Sequence, residues 1–275
     1  MAKAGKRAGA CVFCGTYGLL TREDATPKWV GRLLHKHFPP SGSWEAVELR
    51  PCPDGTLHSR SRRVGSPSAY KPVIVCASCN NTWMSGLEQS VRRTLAALIL
   101  DQAAGLDAKA STMLATWAVK TALVYEFVIP SEEGTTASLE DRRWVCEQRK
   151  PLPESQVWLG RYVGTRGAHI VSRQTLYLFD RDDAESTPVA HTLFVVLVFG
   201  HLAIRVVLPR TDQLYPVKYA VAVGSFAQRI WPYERPVTWP PPASLDDSGL
   251  DTFMAVRGPS YLVGPRSNHP PATQP

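Results

Sequence analysis

Two Cys-x-x-Cys pairs, Cys11-Val12-Phe13-Cys14 and Cys76-Ala77-Ser78-Cys79, carry the clearest chemistry in this chain. Each such turn presents two thiolates to one metal, and two turns together complete a tetrahedral sphere with Zn–S bonds of about 2.3 Å. With four sulfurs bound, no position stays open for water, so the zinc predicted here is structural. Any chemistry must come from residues that the zinc holds in place. A disulfide pair or inert buried thiols are the alternative use of these cysteines; Cys52 and Cys146 are left over. Paired knuckles fit reduced, metal-bound thiols better than a secreted disulfide framework.

Oxygen-bearing groups accompany the sulfurs. Glu23-Asp24 lies between the knuckles, three residues before Pro27, and Asn80-Asn81 follows Cys79 directly. An asparagine at a helix start, as Asn81 is, also serves as a cap.

In order and type these residues resemble the HNH, or ββα-metal, nuclease superfamily, closest to the zinc-stapled branch that includes phage Holliday-junction resolvases. The resemblance covers residues 11–88, and the wider arrangement, with Trp83-Met84 and Leu87-Glu88 after the second knuckle, is similar to bacterial HNH-type proteins. It implies that Cys11, Cys14, Cys76 and Cys79 bind structural zinc in a treble-clef module. It implies that Glu23 and Asn80 hold a catalytic Mg²⁺ or Mn²⁺ which stabilises charge on a scissile phosphate. The sequence departs from the family at Asp24, where the general-base histidine normally stands. Imidazole titrates near 6.5 and a carboxylate near 3.9, so Asp24 is the weaker base and a contribution of about 10²- to 10⁴-fold is at stake. Asp24 can instead serve as a second metal ligand, or His35, His37 or His58 can supply the base. The functions implied are a metal-dependent endonuclease hydrolysing phosphodiester bonds or, alternatively, a catalytically degenerate zinc module that binds DNA or regulates. A lower-ranked alternative is a protein-interaction scaffold.

Charge is distributed in a way that matches a nucleic-acid partner. Residues 1–100 hold fourteen Lys/Arg against six Asp/Glu, and the remainder seventeen against eighteen, so the net charge of +7 belongs to the part with the knuckles. Such an excess marks a phosphate-binding face or a solvated surface. Arg60, Arg62 and Arg63, within a Pro-, Ser-, Gly- and Arg-rich insertion at 39–72 read as an extended loop or hairpin, are the candidate backbone contacts; a merely solvated loop is the alternative.

The elements that must position these groups give an α+β chain: the zinc-bound module at 11–90, a helical segment at 91–130 and a β-rich region at 150–231 with an antiparallel sheet. A basic arm precedes them at 1–10, and a Pro-rich, largely unordered tail follows at 232–275. Helices are expected from Pro27, from the second knuckle through Ile99, and over 108–127 with Asp107 as N-cap and Pro130 as stop. Strands are expected at 157–163, 168–172, 175–179, 194–199, 202–208 and up to Trp231, and the polar stretch 131–141 is read as a connection. The apolar run 191–209 approaches the length of a membrane span, but it contains His191, Gly200-His201 and Arg205 and is read as two buried strands turning at Gly200. No apolar h-region follows the basic N-terminus, so a cytoplasmic protein with no membrane partner is expected.

Overall fold

A computed structural model describes residues 7–38, 44–51, 57–64, 71–128, 134–178, 190–211 and 226–254. The chain is α+β. Strands β1 (Ala8–Ala10), β2 (Tyr17–Arg22) and β5 (Val73–Cys76) form a small antiparallel sheet. Helix α1 (Lys28–His37) follows β2, and β5 runs directly into a continuous helical rod: α2 (Ala77–Cys79), a π-helical turn at Asn80–Met84, and α3 (Ser85–Ile99). Within that turn the Ser85 N–H reaches the Asn80 carbonyl, five residues back. Single π turns of this kind recur at functional sites because they re-aim the side chains around them.

The insertion between the knuckles is a hairpin, β3 (Trp44–Pro51) and β4 (Leu57–Val64), and its destination is the sheet of the other half of the chain. That seven-stranded sheet also takes β7 (Gln156–Arg161), β8 (His169–Leu178), β9 (Ala190–Phe199), β10 (Leu202–Thr211) and β11 (Ala227–Trp231), in the order β11-β7-β10-β9-β8-β3-β4. All neighbours are antiparallel except β3 and β8, where Ala46 stands beside Val171 and Leu49 beside Gln174 in parallel register. Parallel neighbours need a long crossover. Here the crossover is everything from β4 through β7.

The apolar run expected to be two strands is the β9–β10 hairpin. Gly200 turns it at φ +57°, and a Cβ there would collide with the Phe38 ring and the Ile99 carbonyl oxygen, so only glycine fits. Among the described residues, no helix is long and apolar enough to cross a membrane.

Helix α4 (Ala108–Val128) lies at the centre, packed against α3 on one side and β7, β10 and β11 on the other. Asp107 caps it, accepting from the Ala110 N–H at 2.8 Å. Every residue from 114 to 126 is buried, as expected of a helix that is apolar nearly all round. One cluster of buried apolar side chains therefore runs from Phe13 and Trp29 through Leu95 and Trp117 to Val157, Leu197 and Ile204. The segments 11–90, 91–130 and 150–231 share it.

Three elements occupy stretches read from sequence, in whole or in part, as irregular. Helix α5 (Leu139–Gln148) begins in a capping box, with Ser138 Oγ accepting from the Asp141 N–H and the Asp141 carboxylate accepting from the Ser138 N–H. Beyond Pro236, β12 (Val237–Trp239) pairs with β6 (Ala104–Leu106), and α6 (Asp247–Met254) buries Leu250 and Phe253 against Val196, Val198 and Ala203. The physical reason is that β9 and β10 are apolar on both faces. α4 covers one face, so something must cover the other.

Candidate metal centre

The first knuckle turns between β1 and β2. Gly15, at φ +76°, donates to the Cys11 carbonyl at 2.8 Å, and Cys11 N–H donates to Thr16 at 2.9 Å. Val12 N–H donates to the Ile74 carbonyl at 3.0 Å, which fastens this turn to β5 beside the second knuckle. Cys76 ends β5 and caps α2, its Sγ accepting from the Cys79 N–H at 3.4 Å.

The four sulfurs converge: all lie within 4.8 Å of one another, and Cys14 and Cys76 are 3.7 Å apart. Tetrahedral bonds of about 2.3 Å place sulfurs about 3.8 Å apart, so this donor set fits zinc. Cys11 and Cys79 are buried, Cys14 and Cys76 partly exposed. Burial pushes the Cys79 and Cys76 thiols up, and the neighbouring Cys11 charge adds to it. For Cys14 burial acts in the same direction, but hydrogen bonding to Thr16 outweighs it and the thiol falls to about 7. Four thiolates this close require a cation, and metal binding must displace the protons that otherwise neutralise them.

A fifth sulfur stands against the cluster. Cys146 Sγ, from α5, is buried 3.9 Å from Cys79 Sγ and accepts from Arg149 Nη1 at 3.7 Å. The Arg149 guanidinium lies 4.7 Å over the Trp83 ring, which also packs T-shaped with Phe13 at 5.5 Å between centroids. Nothing in the spacing of Cys146 announces this; only the docking of α5 brings it there. Cys52 lies outside the described residues.

The acidic loop follows β2 and meets the start of the rod. Asn80 Nδ2 donates to Thr21 Oγ1 at 3.0 Å and to the Arg22 carbonyl at 2.9 Å, which brings Asn80 alongside the chain entering Glu23. Glu23 is buried, its N–H donates to Pro72, and its Oε1 accepts from Lys120 Nζ of α4 at 2.8 Å. Asp24 pairs with Lys71 at 2.6 Å. Each of the three side chains is thus engaged. A fourth group that the sequence did not single out for chemistry is Glu88 on α3. Burial raises its carboxyl, Lys120 and Trp29 beside it oppose the rise, and the charges of Glu23 and Asp24 add to it.

Of the histidines considered as bases, His35 and His37 are exposed on the last turn of α1, and His58 falls on β4. His169 of β8 is instead the histidine behind the acidic loop, its Nε2 3.4 Å from Thr26 Oγ1, which is in turn 2.6 Å from the Tyr125 hydroxyl. Arg60, Arg62 and Arg63 lie on β4, the edge strand, at register positions opposite Glu48, Ala46 and Glu45.

No known protein family, curated protein or solved structure matches the chain. Its site must be understood from its own geometry.

Proposed function

We propose that the chain is a nucleic-acid-binding protein built on a zinc-stapled, HNH-like module. One observation carries this: two Cys-x-x-Cys turns converge where a hairpin meets a helix, with Asn80 next after the last sulfur and bonded to the strand that leads into Glu23. The basic excess of residues 1–100 lies in the same part of the chain. DNA is the partner favoured by that charge, with Arg60, Arg62 and Arg63 contacting phosphates. Fluorescence anisotropy with duplex, branched and single-stranded DNA tests it. Binding should weaken steeply with salt and disappear when zinc is stripped; no binding at low salt overturns it.

A second reading, a metal-dependent endonuclease using Mg²⁺ or Mn²⁺, is favoured by the bonding of Asn80 to Thr21 and Arg22, the residues that lead directly into Glu23 and Asp24. Its test is plasmid cleavage that Glu23→Ala abolishes. Cleavage only by Asp24→His would mark the protein as a degenerate member of that superfamily.

A further inference from the structure

Lys120 is the anomaly of the central helix. It is 1% exposed in a helix whose neighbours are apolar, and a lysine in such a place is retained only against a matched partner. Its ammonium sits 2.8 Å from Glu23 Oε1, and Glu23 is itself 5% exposed. The groups facing it from the other elements are carboxylates: Glu23 from the loop after β2 and Glu88 from α3, with Asp24 next along the loop and paired with Lys71. Asn80 spends its amide protons on Thr21 and Arg22.

A divalent ion bound at Glu23 would have to stand beside this ammonium or expel it into the apolar packing of α4. Both choices are unfavourable, so the residues here do not fit a divalent ion in addition to Lys120. We infer that Lys120 is the resident cation of the acidic site, its ammonium delivered by α4 to the place beside Glu23 that a divalent ion would otherwise take. This rests on the reading of the module as HNH-like. The charge is covalently fixed, so it cannot be chelated or exchanged, and it ties the zinc module to the central helix. The module then binds nucleic acid without divalent metal.

Lysine-ammonium ¹H–¹⁵N spectra of the intact zinc protein test this directly. A hydrogen-bonded Lys120 ammonium should give a slowly exchanging signal that millimolar Mg²⁺ leaves unmoved; a saturable shift or loss of that signal overturns the inference. Lys120→Met should gain a site for about one Mn²⁺, read by electron paramagnetic resonance, and adding Glu23→Gln should remove it. A folded Lys120→Met that gains no Mn²⁺ site also overturns it. Should Lys120→Met fold only with Mn²⁺ supplied, that dependence is the same gain, and the wild-type spectrum remains decisive in either event. DNA affinity measured alongside separates the two claims. Its absence defeats the nucleic-acid reading, whereas a Mg²⁺-sensitive Lys120 signal with DNA affinity intact defeats the resident cation alone.

Discussion

The small sheet at the cysteine cluster and the seven-stranded sheet are stabilised by different physics. β1, β2 and β5 are three, six and four residues long, and Tyr17 and Leu19 on β2 stand 76% and 56% exposed. β9 and β10 are ten residues each and buried from Thr192 to Phe199 and from Leu202 to Leu208. Apolar burial at about 25 cal/mol per Å² sustains the second and is scarce in the first. The first should therefore depend on a metal held by its four cysteines, as small modules commonly do. Between them, α4 reaches both ways with a buried charge: Lys120 to Glu23 on the zinc side, and Glu126 to Arg173 of β8 on the other. Arg142 of α5 adds a strut, donating to the Val12 carbonyl inside the first knuckle at 3.0 Å and lying 3.8 Å from Glu126.

The largest break in this comparison comes from Cys76→Ser. Zinc content should fall from about one per chain to none, with a loss on the scale of the ~10–16 kcal/mol apparent for structural zinc. Hydrogen exchange should open β1, β2 and β5 while β9 and β10 stay protected; equal loss in both sheets would show that the regions are not separable. Next, Lys120→Met should cost about 3–5 kcal/mol in denaturant titrations, because it strands a buried carboxylate, and Glu23→Gln in the same chain should recover much of it.

His169 sharpens the comparison through pH. Burial holds its imidazole well below its usual value, so the folded protein keeps it neutral where the unfolded chain takes up a proton. The unfolded state binds more protons below about pH 6.5, so stability should fall as pH drops from there, by up to about 1.4 kcal/mol per unit, and be flat above it. His169→Gln should remove that slope; an unchanged slope assigns it elsewhere. Smaller still, Cys146→Ala should leave zinc at about one per chain and cost about 1 kcal/mol. Least of all in stability, within about 0.5 kcal/mol, should be Arg60→Ala, Arg62→Ala and Arg63→Ala together, yet the salt slope of DNA binding should drop by about 2 to 3 if all three meet phosphates.

What was legible in the sequence had a local cause. Cys-x-x-Cys spacing, the turn at Gly200, the helical spacing of Leu87, Val91, Leu95, Leu98 and Ile99 and the Asp107 cap each depend on a few adjacent residues, and each has its counterpart in the fold. α5 was legible in principle, since Ser138 and Asp141 form a capping box, but the stretch was read as polar connection. α6 follows from a consequence not pursued: strands apolar on both faces need a second cover. The insertion at 39–72 was open to a hairpin, but its place beside β8 has no such signal, because β8 is more than a hundred residues away.

The sequence by itself determined the four cysteines that could hold zinc, the class of the fold and the basic character of the N-terminal part, because residue type and short spacing suffice for each. Only the tertiary structure decided what stands beside them. Lys120 and Cys146 carry no motif: Lys120 reaches the site because a central helix buried on every side must place its few polar groups against partners wherever the packing supplies them, and Cys146 because α5 docks beside the knuckles.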